Sequence, residues 1–335
     1  MSMPTESREI TFAQAINEAM HEEMDRDHSV IVMGEDVAAF GGVYKLTQGL
    51  LARFGPERVW DTPISEPSLV GLGVGAAVTG LRPIVEVMFG DFLGLAMDQI
   101  VNQAAKIHYM SGGELRVPLV IRTTMGAGKR AAAQHSQTLS AWLAHIPGLK
   151  VVVPSTPYDA KGLLKTAIRD NNPVIVFEDK MMYQKKGAVP DPADLYSIPF
   201  GVADIKRAGN DITLIATSSM IYVALDAATE LAGQGIEAEV IDPRTLTPLD
   251  ETTLVESVKK TSRCIVIDEG YQRFGVTAEI AAMIAEKAFH YLEAPVRRIG
   301  AMDVPLPFAP VLEDQTIPTS TNVVGVAREL LGRQG

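Results

Sequence analysis

Apolar positions along the chain follow two rhythms. At Phe12, Ile16 and Met20 they recur every fourth residue, the spacing of one helix face. Thr11 with Gln14 makes a capping-box pattern that opens this helix at Thr11. Elsewhere the apolar residues come in short unbroken runs: VIVMG at 30–34, PIVEVMF at 83–89, PLVIRTT at 118–124, KVVVP at 150–154 and PVIVFE at 173–178. These predict strands, and the stretches 68–80, 91–110 and 157–170 predict helices between them. Strands buried on both faces read as continuous apolar runs, so the alternation predicts a parallel sheet covered by helices.

Prolines and mixed charges in KMMYQKKGAVPDPADLYSIP interrupt the rhythm at 180–199, as an interdomain linker would. It then resumes in shorter units. DITLIAT, EAEVID, CIVID and VRRIG predict strands, and the segments near 220–233, 250–260 and 276–288 predict helices. The tail MDVPLPFAPVLEDQTIP is rich in proline and is expected to drape over a surface. A last helix is expected from about Thr321 to Leu331, stopping at Gly332. The reading is therefore an α/β chain with two parallel-sheet domains, 1–185 and 204–335, joined by a linker at 186–203.

Composition narrows the function. The 335 residues are 47% hydrophobic and carry a formal net charge of -11, so a large core is expected and disorder is not. An acidic chain lacks the basic face that displaces counterions from nucleic acid or adheres to an anionic membrane. The single cysteine, Cys264, stands in the apolar run CIVID, the setting of a buried strand thiol. MSMPTESREITF at the start lacks the apolar segment of a signal peptide. The weakly polar run Leu69–Leu81 falls short of the ~20 residues of a membrane span. A soluble, cytoplasmic protein is the expectation.

The candidate chemistry sits in three places. GLGVGA (71–76) matches G-x-G-x-x-A, but a dinucleotide site needs those glycines in a turn between strand and helix. Here the prolines of TPISEPSLV oppose a central strand just before it. The glycines instead suit close approach of another helix or of a cofactor ring. Glu66, between Pro63 and Pro67, heads a run with no other charge until Arg82. One reading is an acid at a helix start, favoured by the dipole. The other is an acid held in an apolar site to keep a proton at hand. His135, in AAAQHSQ just after the Gly-rich basic loop TTMGAGKR, is either a proton carrier at the edge of the sheet or a structural histidine bonded to backbone. HEEMDRDH (21–28) reads as a solvated charged face rather than a metal site, and Asn171–Asn172 as the close of a helix. No G-x-S-x-G elbow, H-E-x-x-H or Cys/His cluster is present.

Taken in order, GEDV, DTPISE, GLRPIVEVMFGDF, NQAAK, YMSGG, AAQHSQ, HIPGLKVVVPS, DAKGLLKTAIRDNNPV and LEDQTIP resemble the β subunits of thiamine-diphosphate-dependent 2-oxoacid and acetoin dehydrogenases. The resemblance runs over essentially the whole chain. It implies a pyrimidine-binding α/β domain followed by a transketolase-type C-terminal domain. It places on Glu66 the glutamate that hydrogen-bonds a ring nitrogen of the cofactor's aminopyrimidine. Met88 and Phe92 would line or stack on that ring, with the chain at Leu72–Gly73 close by. His135 would act near the substrate as an acid–base or orienting residue. Ala167, Asp170 and Asn172 match a loop that holds a monovalent cation, such as K+, in some members.

An absence adds to this. The G-D-G motif with a distal Asn–Asn, which binds Mg2+ and the diphosphate, has no counterpart; GDF at 90–92 is the nearest pair. The resemblance thus implies half a site, with Mg2+ held mainly by an α subunit, in an assembly of two α and two β chains. It implies cleavage of acetoin, or decarboxylation of pyruvate or another 2-oxoacid, and reductive acylation of a lipoyl group on an acyltransferase component. A branched-chain 2-oxoacid enzyme, a self-contained NAD-binding oxidoreductase using GLGVGA, and a non-catalytic scaffold subunit are the alternatives.

Overall fold

A computed structural model of the chain describes residues 7–191 and 196–332. Two compact bodies emerge. The first comprises the chain up to Met125 together with Trp142–Phe200, and the second comprises Gly126–Ala141 with the chain from Gly201 onward.

In the first body six parallel strands lie in the order Lys150–Val152, Val174–Asp179, Val120–Met125, Arg82–Val87, Val30–Gly34 and Val59–Asp61. The alternation predicted this sheet, apart from the short strand Val59–Asp61, which is too brief to show as an apolar run. After Val30–Gly34 the chain adds its next strand on one side and the following one, Arg82–Val87, on the other. That reversal opens a crevice at the carboxyl ends of the two strands, where parallel sheets bind ligands.

The helix Phe12–Arg26 starts with the capping box of Thr11 and Gln14. It packs on the helix Pro157–Arg169 through a ladder of charges. Lys161 reaches Glu18 and Glu22, Lys165 reaches Glu22 at 2.7 Å, and Arg169 reaches Glu23 at 2.6 Å. The HEEMDRDH segment is a solvated face only in part, with Asp25, Arg26 and His28 exposed. Glu23 is buried, and His21 packs on the ring of Phe54.

The single helix expected over 91–110 is broken into a 3₁₀ stretch Gly90–Ala96, a wide π-type turn Gln99–Ala104 and one short turn Ile107–Met110. The Ala105 N–H donates to the Ile100 carbonyl five residues back. Gly90 sits so close to strand Val120–Met125 that a β-carbon there would lie 2.8 Å from the Thr124 carbonyl. Of the segment 186–203, Lys186–Pro190 pairs antiparallel with Ser7–Thr11, so it contributes a strand; 192–195 lies outside the described residues.

The second body carries five strands in the order Arg297–Ala301, Cys264–Tyr271, Ile212–Ala216, Ala238–Asp242 and Asp204–Arg207. The first four are parallel and the last is an antiparallel edge. Helices Met220–Ala232 and Ser320–Leu330 cover one face, where Ala224, Ala227, Val323 and Ala327 are buried; Glu251–Thr261 and Val276–Lys287 cover the other. Cys264 is buried at the start of its strand, and burial pushes its thiol up, away from ionisation. The proline-rich tail does more than drape: Pro310–Thr316 is a helix whose Glu313 is fully buried. Among the described residues no helix is long and apolar enough to cross a membrane.

Candidate functional site

The crevice at the reversal is built by three segments. Glu35 follows strand Val30–Gly34 directly. Met88 follows Arg82–Val87. After Val59–Asp61 a short loop leads to Glu66, the first residue of helix Glu66–Val78. Ser65 occupies the cap position without a side-chain capping bond, and its hydroxyl donates instead to Ser68 at 2.9 Å. Pro67 fits the first turn, where its missing N–H costs nothing.

Glu66 is only 7% exposed, and no hydrogen bond or ion pair engages its carboxyl among the described residues. Glu35 is its neighbour in the electrostatic sense. Burial, and after it the charge of Glu66, raise the Glu35 carboxyl above its ordinary value, and its Oε1 is buried with no hydrogen-bond partner among the described residues. Burying a carboxyl without partners costs free energy, and the charge of one acid makes ionisation of its neighbour harder. Two such groups fit a ligand that brings hydrogen-bond donors. Sequence reasoning missed Glu35. Its signal was there in GEDV, an acid directly after a strand.

Met88 and Phe92 are half-buried on the chain leaving the neighbouring strand. Thr124 Oγ1 donates to the Met88 carbonyl at 2.9 Å, and Phe92 meets Phe89 edge to face at 5.6 Å. Leu72 lies on the exposed face of its helix, opposite the buried Leu69, Val70, Gly73 and Val74. The glycines of GLGVGA lie inside this helix, away from its N-terminus. A β-carbon on Gly73 would come within 2.6 Å of Val85 Cγ2. That glycine serves helix–sheet contact, and no turn is present that could cradle a phosphate.

Beneath the crevice lies a buried ion cluster that the sequence did not announce. Arg122 forks onto Glu178 with two bonds of 2.8 Å and reaches Glu86 at 2.8 Å, while the Tyr183 hydroxyl donates to Glu178 at 2.9 Å. Burial raises the Glu178 carboxyl despite the opposing pull of Arg122. The cluster and Tyr44 line a small cavity. Glu86 pairs in register with Gly34, the residue before Glu35, so the cluster braces the strand ends that carry the crevice.

The loop expected to hold a monovalent cation is engaged by cations of the chain itself. Lys150 pairs with the Asp170 carboxylate, whose other oxygen accepts from the Asn172 N–H at 2.9 Å. Arg82 donates to the carbonyls of Ile168 at 3.0 Å and Asp170 at 2.8 Å. The Ala167 carbonyl accepts from the Asp170 N–H at 3.2 Å. Burial alone would raise the Asp170 carboxyl; the bonds from Lys150 and Asn172 outweigh it, and it is lowered. His135 stands in the second body, half-buried, on the loop Gly126–Ala141.

Comparison with known proteins settles the family. Residues 8–186 match the pyrimidine-binding domain of transketolase and residues 201–323 its C-terminal domain. The chain belongs to the transketolase family. Within it, the chain is 53% identical to the acetoin:2,6-dichlorophenolindophenol oxidoreductase subunit beta of Bacillus subtilis, over 97% of this chain and 98% of that one. It is 50% identical to the pyruvate dehydrogenase E1 component subunit beta of Rickettsia felis, over 96% and 98% respectively. A solved structure titled as a split-gene transketolase, an inactive beta4 tetramer, superposes with a TM-score of 0.77 at 24% identity, covering 97% of this chain and 99% of that one. That likeness supports the fold.

Proposed function

We propose that this chain is the β subunit of a thiamine-diphosphate-dependent enzyme that cleaves acetoin or decarboxylates pyruvate. It would work with an α chain, two of each, and pass the acyl unit to the lipoyl group of an acyltransferase. The observation that carries this reading is Glu66, a buried residue whose carboxyl has no hydrogen-bond partner among the described residues, beside Glu35, in a chain about half identical along its length to β subunits of this kind.

When bound, thiamine diphosphate supplies an acidic ring carbon and an electron sink. This chain's part is to hold, orient and dry its aminopyrimidine. Glu66 would accept a hydrogen bond from a ring nitrogen. Such a bond, charge-assisted and away from water, is stronger than one in solvent. Glu35, its carboxyl raised by burial and by the charge of Glu66, would keep its proton more readily than an ordinary acid. Met88 and Phe92 would flank the flat ring. His135 would take or give a proton at the carbonyl substrate. The chain lacks the motif that grips Mg2+ and the diphosphate, so those contacts fall to the α chain.

Assay of the chain paired with its α subunit, on acetoin and on pyruvate, tests the reading. Glu66→Gln should lower turnover well over ~10-fold, as for a positioned proton-transfer group. Turnover unchanged in that variant would overturn the reading. Saturable micromolar binding of NAD(H) by this chain alone would favour the oxidoreductase alternative.

A further inference from the structure

The loop that carries His135 is gripped by two carboxylates of its own body. The Ala127 N–H donates to Glu269 Oε1 at 2.8 Å, and the Gly128 N–H to Glu313 Oε1 at 3.0 Å. The second oxygen of Glu313 takes Arg130 Nη1 at 2.5 Å, and the same nitrogen reaches Asp314 Oδ1 at 2.6 Å. Glu313 is fully buried. Within this grip the chain turns left-handed at every second residue: φ is +92° at Gly126, +90° at Gly128, +57° at Arg130 and +62° at Ala132. Arg130 and Ala132 carry β-carbons, so their conformation persists only where the surroundings enforce it. The His135 N–H donates to the Ala132 carbonyl at 3.4 Å, which ties the histidine to the last of these turns.

We propose that Glu313 is a positioning residue for His135. One carboxyl oxygen holds the amide of residue 128, the other holds the guanidinium of residue 130, and together they fix the run of turns that ends at the histidine. The proposal rests on the reading of His135 as an acid–base group. It assigns a role to the LEDQTIP segment that nothing in the crevice of the first body uses. The two oxygens do separable work. Glu313→Gln retains an acceptor for the Gly128 N–H and the shape of the side chain, but loses the buried one of the two charges that hold Arg130. Arg130→Met breaks the same pair from its partly exposed end.

Trypsin reports on the full-length chain directly, because Lys129 lies within the gripped loop and is exposed. Glu313→Gln and Arg130→Met should each raise cleavage after Lys129 by about 10-fold, as expected when one charged hydrogen bond no longer opposes local opening. The double variant should be cleaved no faster than Arg130→Met alone, since that variant already removes the pair with Glu313 along with the bonds to Asp314 and the Pro310 carbonyl. In the assembled enzyme both variants should lower kcat more than they raise KM, and move the same limb of the kcat–pH profile that His135→Asn abolishes. Wild-type cleavage rates and an unmoved pH profile in both variants would overturn the proposal. Should Glu313→Gln fail to fold, Arg130→Met carries the test. Full turnover in His135→Asn would overturn the acid–base reading, whatever trypsin shows. An impaired His135→Asn with unchanged cleavage in the other two variants would overturn the grip alone.

Discussion

The charge of Glu66 bears directly on Glu35. One acid ends a strand and the other begins a helix; burial first and the Glu66 charge second push the Glu35 carboxyl upward. Its Oε1 has no hydrogen-bond partner among the described residues. Selection for stability alone would not maintain this arrangement, because a buried acid without partners opposes folding. Pairs of acids whose environment shifts their protonation are the mark of proton-handling sites.

Glu35→Gln is therefore expected to stabilise the chain near neutral pH. The sign follows from linkage. A carboxyl raised in the folded state binds its proton more tightly than in the unfolded chain, where it titrates near ~4.3. Folding is thus most favoured below that unfolded value and loses ground as pH rises through the folded one. The melting temperature of Glu35→Gln should exceed that of the natural chain at pH 7, and the gap should close by about pH 4. Turnover of the assembled enzyme should fall in the same variant, a trade of stability against activity. A gap that widens toward acid would show that the sign is wrong.

Arg122→Met should be severely destabilising. Arg122 and Glu178 are each 1% exposed at the side chain, and removal of the guanidinium leaves Glu178 and Glu86 facing each other without compensation. Breaking such a pair from one side costs about 3–5 kcal/mol. Replacing both members, as Arg122→Met with Glu178→Leu, should recover much of the loss, since an apolar pair fills the space with no charge left over. Denaturant unfolding of the two single variants and the double variant decides this. A double variant as unstable as Arg122→Met would mean that the cluster is held by more than charge balance.

The parts of the molecule legible in the sequence are those set by local rules. Buried strands betray themselves as apolar runs, and Thr11 with Gln14 fixed a helix start to the residue. Glu66 could be singled out because an acid bounded by prolines beside a long apolar helix is locally inconsistent, which is how functional sites tend to look. What stayed hidden depends on distant partners. Arg122, Glu86 and Glu178 come from three strands, and only the register of the sheet brings them together. Glu23 looked like a solvated acid because its partner Arg169 lies far along the chain. The break in 91–110 follows from tertiary contact, where Gly90 presses on the next strand, and periodicity carries no record of it.

Acid should reach the Asp170 carboxyl only below the usual carboxylate range. The carboxyl is lowered in the folded chain, against burial, by Lys150 and Asn172. Its contribution is present above the unfolded value, near ~3.9, and is lost as pH falls through the folded one. Asp170→Asn should lower the melting temperature at pH 7, with the deficit shrinking below about pH 4. Added K+ should leave the melting temperature of the natural chain where equal Na+ leaves it, because Lys150 and Arg82 already supply positive charge to these oxygens. A stabilisation specific to K+ would show that the ion and the two side chains share the loop.

The glycines of GLGVGA offer a last, internal control. Gly73 and Gly75 lie two residues apart on one helix and meet opposite surroundings. A β-carbon at 73 would stand 2.6 Å from Val85 Cγ2 and 3.1 Å from Leu119 Cδ1, whereas at 75 it would meet nothing within 4 Å. Gly73→Ala forces the helix off the sheet and should cost about 1–3 kcal/mol, as overpacking does. Gly75→Ala replaces a poor helix former at an exposed position and should gain about 0.5–1 kcal/mol. The helix begins at Glu66, so the displacement in Gly73→Ala should also move that carboxyl and lower turnover, while Gly75→Ala should not. Thermal unfolding and turnover of the two variants measured side by side test whether helix–sheet contact is what positions the acid. Equal effects at 73 and 75 would remove that link.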